Sequence, residues 1–412
     1  MIRVRAVLSV CLVWQVIMAC NGGGLDTRQK ADWTFMVYMG ADNNLSTVGL
    51  GDLNELEQAG SDKNVNIVLQ AEFSPFYTDF YCSGDGNYTG DTLRFLVTDD
   101  GDPERPTLSA GQSIGNVDMG APETLTAFLS WATEQYPAEH YALVIWDHGA
   151  GWKVSRLMKG AVQDETSASF MSLPDLSGAV RAAGIHLDLI NFDACLMAMY
   201  EVAVEFIGTT DYMVFSEEVV PGDGDPYDTI LGALKARPGI SGRELTGIIV
   251  DAYHASYSYP ETRGARVTKS AVEMAEVPEL HSTVLAFAEA IITDFGAVST
   301  DISLARGNAQ RFETPSHLDL FDFSSLIARN LAGTQTGVAA RDVSEAVTRA
   351  VIENRALGAD VSHAFGLAIY LPSFSQLSVI GLTRELQRYS RLACNQAKTN
   401  AWADVVEKMV KE

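Results

Sequence analysis

Basic residues are scarce in this sequence. Its 412 residues include 29 lysines and arginines against 53 aspartates and glutamates, so the formal net charge is −24 at neutral pH. Such a surface repels the phosphate backbone, which argues against DNA or RNA as a partner. Basic peptides and proteins would be attracted to it, although an acidic surface also serves plain solubility.

Cysteine is scarce too, and none of the five cysteines stands in a C-x-x-C motif. Thioredoxin-type redox chemistry and a zinc ribbon are therefore unsupported. Cys11 and Cys20 fall in a leader segment, which leaves Cys82, Cys195 and Cys394 for the mature fold. Even if Cys82 and Cys394 form a disulfide, an odd number leaves at least one thiol free.

Several catalytic motifs are missing. The sequence has no P-loop and no H-E-x-x-H pair, so phosphate-loop nucleotide hydrolysis and zinc-peptidase chemistry lack their usual residues. A tyrosine phosphatase needs an arginine six residues after its cysteine, and Glu201 stands there relative to Cys195.

An apolar run that suggests a membrane-targeting segment occurs at the amino terminus. The basic start MIRVR precedes AVLSVCLVWQVIMA, which is too short for a permanent membrane helix and ends in IMAC, a pattern that resembles a bacterial lipobox. We expect residues 1–19 to be a lipoprotein signal peptide, Cys20 to be lipidated, and residues 20–31 to form a flexible tether. This predicts an exported bacterial lipoprotein, anchored to a membrane at the cell surface or the periplasmic face. Ordinary signal cleavage nearby is the alternative.

Five apolar runs have the composition of strands buried on both faces, and helical patterns separate them. This alternation predicts an α/β fold with a mostly parallel sheet and helices on both faces. The predicted strands cover residues 33–40, 64–73, 141–147, 187–195 and 211–218. The predicted helices between them cover residues 45–60, 122–137, 172–184 and 196–208.

Two parts of the chain depart from this alternation. Residues 76–120 are rich in turn residues and predict an insertion or hairpin that decorates the sheet. Beyond residue 265 the pattern is largely helical, with one late strand at 364–373. We therefore expect a catalytic domain over residues 32–264 and a mainly helical C-terminal subdomain over residues 265–412 that contributes that strand.

Reactive residues follow two of the predicted strands. His148 comes directly after the strand at 141–147, and Cys195 closes the strand at 187–195. Carboxyl ends of parallel strands meet at one edge of a sheet, so a thiol and an imidazole would share that edge. Gly149 lets the backbone approach a substrate closely, and its N–H with that of Cys195 would make a two-donor oxyanion site. Taken singly, a cysteine after a strand is more often an inert core thiol, and a loop histidine is more often merely polar.

Four blocks of sequence resemble the clostripain family of cysteine peptidases, in the caspase-like clan. They are WTFMVYMGADNNL (33–45), YALVIWDHGAGW (141–152), LDLINFDACLMAMYEVA (187–203) and GLAIYLP (366–372). The resemblance implies a caspase-like sheet, hydrolysis of peptide bonds by a Cys–His dyad, and often calcium dependence. Residue by residue, Cys195 matches the nucleophile, His148 the catalytic histidine, Gly149 the oxyanion glycine, and Asp193 the acid two residues before the nucleophile.

Asp193 suggests a preference for basic substrates. Side chains alternate along a strand, so Asp193 and Cys195 would point the same way, roughly 6–7 Å apart. The carboxylate would then pair with an arginine or lysine before the scissile bond, which is the residue that family members prefer. The alternative is that Asp193 only orders the end of the strand.

The expected function is therefore a cysteine endopeptidase that cleaves peptides and proteins after Arg or Lys. A non-catalytic peptide-binding surface lipoprotein and an acyl transferase that uses the same dyad are the alternatives. Asp147 and Asp42 are both candidates to orient the histidine, and the sequence does not choose between this role and capping or solvation. For calcium, residues 222–228 and 99–104 gather carboxylates, but neither has the EF-hand pattern.

Overall fold

The structure is a computed structural model that describes residues 30–78, 90–153, 162–259, 264–373, 379–396 and 401–411. Its strands are β1 (Ala31–Ala41), β2 (Val65–Phe73), β3 (Leu93–Leu96), β4 (Gln112–Ser113), β5 (Ala138–Trp146), β6 (Val162–Asp164), β7 (Ser169–Met171), β8 (Leu187–Asp193), β9 (Thr210–Phe215), β10 (Val267–Glu273), β11 (His317–Asp319), β12 (Val351–Leu357) and β13 (Ala368–Tyr370).

The helices alternate with these strands in the first half of the chain and dominate the second half. They are α1 (Ser46–Ala59), α2 (Pro75–Thr78), α3 (Pro122–Gln135), α4 (Leu173–Ala183), α5 (Tyr200–Glu205), α6 (Tyr227–Ala236), α7 (Gly242–Ser256), α8 (Val277–Thr293), α9 (Phe295–Asn308), α10 (Leu320–Asn330), α11 (Gln335–Ala350), α12 (Val379–Tyr389) and α13 (Trp402–Lys411).

The central sheet has nine strands in the order β12-β10-β9-β8-β5-β1-β2-β3-β4. The five strands in its middle, from β9 to β2, are parallel to one another. These are the five strands that the apolar runs predict, so the mostly parallel α/β sheet is confirmed. Antiparallel strands extend the sheet on both sides, with β10 and β12 beyond β9 and with β3 and β4 beyond β2.

Both faces of the sheet are covered, because alternate side chains of each central strand enter different cores. Along β1, Phe35 and Val37 pack in the core that includes residues of α1, α6 and α7. Their neighbours Met36 and Tyr38 pack on the other face, in the core that includes residues of α3, α4 and the C-terminal helices. A strand buried in this way needs apolar residues at every position, which explains the continuous run in the sequence.

Helix boundaries follow local signals where the sequence carries them. Ser172 caps α4 by accepting a hydrogen bond from the Asp175 N–H, and Gly184 ends this helix at a φ of +65°. The helix expected at 196–208 is shorter, because α5 begins only at Tyr200. The residues before it form the loop that carries Cys195.

The part of the chain after residue 264 contributes more strands than the sequence predicts. β10 and β12 complete the central sheet, whereas the late strand β13 pairs with β11 in a separate two-stranded sheet. The expectation of a largely helical pattern with one late strand missed β12, because α11 stops at Ala350 and β12 starts directly at Val351. The boundary expected at residue 264 therefore lies before two strands of the same sheet.

Among the described residues, none of the helices has both the length and the apolar character needed to span a bilayer. The expected signal peptide, the tether up to residue 29 and the lipidation site Cys20 lie outside the described residues, as does Cys82. Cys394 is a buried free thiol.

Candidate active site

Adjacent strands bring the two expected catalytic residues to one edge of the sheet. In the parallel register of β5 and β8, Trp146 lies opposite Asp193, the last residue of its strand. His148 and Cys195 each follow two residues later, at the carboxyl edge where α/β sheets bind ligands. The two loops touch, since a Cβ built on Gly149 would lie 2.2 Å from the Cys195 carbonyl oxygen. Glycine is therefore required at position 149.

Cys195 does not close its strand, which corrects the sequence expectation. β8 ends at Asp193, and Cys195 lies in the turn that follows. The next residue, Leu196, has a φ of +63° and donates its N–H to the Glu218 carbonyl 3.1 Å away. Backbone strain of this kind concentrates at functional sites, where the surrounding structure holds it. The alternation argument for Asp193 and Cys195 therefore fails, although both remain at the same edge.

The thiol of Cys195 is half-buried and lies beside backbone N–H donors. Burial raises its pKa, the carboxylates of Asp193 and Glu218 add to this effect, and a hydrogen bond from the Gly149 N–H opposes it. Within the described residues, the N–H groups of Gly149 and Cys195 donate to no backbone or side-chain oxygen. Such a pair of donors can stabilise an oxyanion that forms next to the sulfur.

The imidazole of His148 is half-buried and is oriented by a residue that the sequence argument missed. Its Nε2 lies 2.9 Å from Oδ1 of Asn44, in the loop after β1. Because an amide oxygen only accepts, this contact places the proton on Nε2 and leaves Nδ1 as the basic atom. Burial lowers the pKa of His148, against the charge of Glu165, so the ring is a neutral base near pH 7.

Neither aspartate that was considered for this role contacts the imidazole among the described contacts. Asp147 accepts hydrogen bonds from the backbone N–H of His148 and, at 2.9 Å, from Nδ2 of Asn43. Asp42 accepts one from the Thr166 N–H at 2.7 Å. Both carboxylates therefore hold loops rather than the ring.

Replacing Asn44 with alanine is expected to lower kcat/KM for a cleaved peptide about 10-fold, the equivalent of one orienting hydrogen bond. Asn44→Asp keeps an acceptor for Nε2 and should retain most of the activity. The pH–rate profile separates the two variants, because only Asn44→Ala removes the acceptor that holds the proton of His148 on Nε2. Equal activity of wild type and Asn44→Ala would remove Asn44 from the site.

Asp193 is buried at the base of this edge, with 4% of its surface exposed. Its Oδ2 accepts hydrogen bonds from the Tyr227 hydroxyl at 2.8 Å and from the Asp225 N–H at 3.1 Å. Oδ1 accepts none from any described residue. The pKa of Asp193 is raised to about 6, mainly by burial and next by the charge of Asp225, while Lys269 and the two hydrogen bonds oppose the rise.

A glycine packs directly against this carboxylate. A Cβ on Gly224, which has a φ of +56°, would lie 2.8 Å from Oδ2 of Asp193. Further carboxylates that act on the groups in this region belong to Asp52, Glu55, Asp223, Asp225 and Asp228. The surroundings of Asp193 are therefore strongly acidic, and we call this buried group of carboxylates around Asp193 and Gly224 the acidic pocket.

Several carboxylates of the two acid-rich turns that the sequence offers for calcium make internal contacts. In residues 222–228, Asp225 forms an ion pair with Lys269, and Asp228 accepts a hydrogen bond from the Thr229 N–H. In the exposed turn at 99–104, Asp99, Asp100 and Asp102 each accept a hydrogen bond from a backbone N–H of the same turn.

A third group of carboxylates has the chemistry of a calcium site. Asp42, Glu72 and Asp164 are buried, and each offers an oxygen within 4.8 Å of the others. Burial raises the pKa of Glu72 to about 8; a hydrogen bond from Thr92 opposes this, and Asp164 and Asp42 add to it. An all-oxygen set of like charges fits a hard divalent cation.

Comparison with known proteins identifies the family. The model of the clostripain family matches residues 37–408. Clostripain from Hathewaya histolytica is 29% identical over 236 residues, which cover 51% of this chain and 44% of clostripain, so the match takes in less than half of that relative.

Two solved structures share the fold. A secreted C11 cysteine protease from Bacteroides thetaiotaomicron, in complex with an irreversible peptide inhibitor, has a TM-score of 0.62 at 20% identity, over 89% of this chain and 100% of that one. An inactive zymogen C11 protease from Parabacteroides distasonis has a TM-score of 0.63 at 21% identity, over 89% and 97%. With the family model matching most of its length, the chain belongs to the clostripain family of cysteine peptidases.

Proposed function

We propose that the protein is a cysteine endopeptidase that cleaves after Arg or Lys through a Cys195–His148 dyad. The observation that carries this proposal is the packing of Gly149 on the backbone of Cys195, which joins the histidine loop to the cysteine loop at one edge of the sheet. An inert core thiol would need neither this contact nor two neighbouring N–H groups that donate to no oxygen of the described residues.

In this mechanism, Nδ1 of His148 takes the thiol proton as the sulfur of Cys195 attacks the scissile carbonyl carbon. Because burial raises the pKa of the thiol and lowers that of the imidazole, the resting pair is neutral and the proton moves during attack. The oxyanion accepts hydrogen bonds from the N–H groups of Gly149 and Cys195. His148 then protonates the leaving amine, and water that His148 deprotonates releases the acyl group.

The acidic pocket supports a basic residue before the scissile bond. A guanidinium or ammonium group would enter past Gly224 and pair with Oδ1 of Asp193. The net charge of −24 also attracts basic substrates to the protein, which supports the same preference. The substrate class is therefore peptides or proteins that expose Arg or Lys.

Fluorogenic peptides with Arg, Lys, Asp or Phe before the reporter group test this proposal on the wild-type enzyme. We expect release from the Arg and Lys peptides, with free acid as the product. Cleavage after Asp or Phe with none after Arg or Lys would overturn the specificity. Transfer of the acyl group to an added amine in place of water would identify an acyl transferase, and binding without turnover a peptide-binding protein.

Calcium dependence, which the family resemblance implies, is part of the proposal, with Asp42, Glu72 and Asp164 as its ligands. Calcium should raise the midpoint of thermal unfolding of the wild type, because binding to the folded state stabilises it. Glu72→Gln should abolish that rise, and Asp99→Asn, in the exposed turn, should preserve it. A calcium-induced rise that survives Glu72→Gln would exclude this group.

Membrane attachment through a lipid on Cys20 is the last part of the proposal, supported by the IMAC pattern. Metabolic labelling with palmitate should mark the wild type and leave Cys20→Ser unmarked. Export of an unlabelled wild type would favour ordinary signal cleavage.

A further inference from the structure

Lys269 is a buried cation next to the acidic pocket. It belongs to β10, and its side chain is fully buried. Its Nζ lies 2.8 Å from Oδ1 and 2.9 Å from Oδ2 of Asp225, and 4.8 Å from the centre of the Tyr253 ring. A buried ammonium group needs such a partner, because an isolated charge in the interior is strongly destabilising.

The lysine distinguishes between two neighbouring carboxylates. Asp225 receives both the ammonium group and the Asn191 side-chain amide, at 2.7 Å. Asp193 receives only neutral donors, the Tyr227 hydroxyl and the Asp225 N–H. Of these two carboxylates, Asp225 therefore has a cation that balances its charge inside the protein, and Asp193 does not.

We propose that Lys269 determines the specificity of the acidic pocket: by balancing Asp225, it leaves Asp193, two residues before Cys195, as the carboxylate that pairs with a substrate cation. Lys269 itself does not touch the substrate, so it is a positioning residue. This inference rests on the proposed cleavage after Arg or Lys. It adds an internal counter-ion for Asp225, so that the positive charge of the substrate side chain pairs with Asp193.

Among the charged and titratable groups around Asp193, Lys269 is the cation that favours the ionised form of Asp193. Helix α1 presents Asp52 and Glu55, the loop before α6 presents Asp223 and Asp225, and Cys195 follows in the chain. Tyrosines face the same space from α6 and from the end of α7, namely Tyr227, Tyr253 and Tyr257. The pKa of Asp193 is about 6, so its carboxyl group is ionised above that pH and should then bind a cation tightly. The affinity should fall as the pH drops through 6 and the carboxylate becomes protonated.

Binding of benzamidine, a small guanidinium-like cation, to the Cys195→Ala protein tests the inference without catalysis. Calorimetry across pH 4.5–9 should give a midpoint near pH 6. Lys269→Met should move that midpoint up by at least about one pH unit, since Asp193 then faces an unbalanced Asp225. Asp225→Asn should move it down, because the freed ammonium group acts on Asp193 alone. The double variant Lys269→Met/Asp225→Asn should return it to within about half a unit of the original midpoint.

The opposite shifts keep the test decisive. Midpoints that stay together in folded Asp225→Asn and Lys269→Met proteins would overturn the inference. If Lys269→Met fails to fold, the downward shift in Asp225→Asn and the restored midpoint in the double variant decide the matter. Wild-type protein that neither cleaves Arg or Lys peptides nor binds benzamidine would instead refute the proposed function.

Discussion

Replacing Cys195 with alanine is expected to abolish hydrolysis of Arg and Lys peptides, with kcat/KM falling by about 10⁴-fold or more. The alanine has no sulfur to form the acyl-enzyme, and the two N–H donors alone stabilise little without a nucleophile. His148→Ala should lose a comparable amount, because the neutral thiol then has no base. The double variant should be no worse than either single one, since the two residues act as a unit.

Cys394→Ala is the matched control, because it removes a buried free thiol elsewhere in the fold. It should leave kcat/KM unchanged, and thermal unfolding should show that all variants are folded. Iodoacetamide provides a second reading, since it should inactivate the wild type and react with Cys195 before Cys394. Activity that survives in Cys195→Ala would refute the dyad.

Replacing Asp193 with asparagine is expected to lower kcat/KM for Arg and Lys peptides about 10²–10³-fold, the loss of one charge-assisted hydrogen bond in a desolvated pocket. The change is nearly isosteric, and an amide oxygen can still accept from the Tyr227 hydroxyl and the Asp225 N–H. The loss should therefore appear mainly in KM for basic substrates. Peptides with a neutral residue before the scissile bond should lose much less.

Asp211→Asn is the control for this experiment. Asp211 is an exposed carboxylate near the start of β9, at the opposite end of the parallel strands from Asp193. Its removal changes the net charge by the same amount, so it separates long-range attraction from the pocket. An equal loss in both variants would assign the preference to overall charge and would leave Asp193 as a residue that orders the end of its strand.

Much of the fold could be predicted because the central strands are buried on both faces. A run such as 33–40 is apolar wherever its side chains enter one of the two cores. It can therefore be recognised as a buried strand from its own residues, without knowing which strands lie beside it. The outer strands carry no such signal. β12 reads VIENRAL, with charged and polar residues between apolar ones, and follows a helix without a break, so its pairing with β10 comes from tertiary contacts.

The candidate site could be predicted in part for a related reason. His148 and Cys195 follow two of the apolar runs that predict parallel strands, and Gly149 stands next to one of them; that these two strands are neighbours comes from the structure. Asn44 and Lys269 were missed because their roles depend on contacts between segments more than 40 residues apart in sequence. A lysine within a strand reads as solvent-facing, and nothing local reveals that Asp225 holds its charge in the interior.

The position of β10 and β12 in the central sheet has a practical consequence. A fragment that stops at residue 264 would expose the edge of β9 and would lose the lysine that balances Asp225. Uncapped edges of this kind recruit other chains, so such a fragment would tend to aggregate rather than act as a minimal protease. Enzyme engineering on this scaffold has to carry the late segments along, even when only the cleavage preference is to be changed.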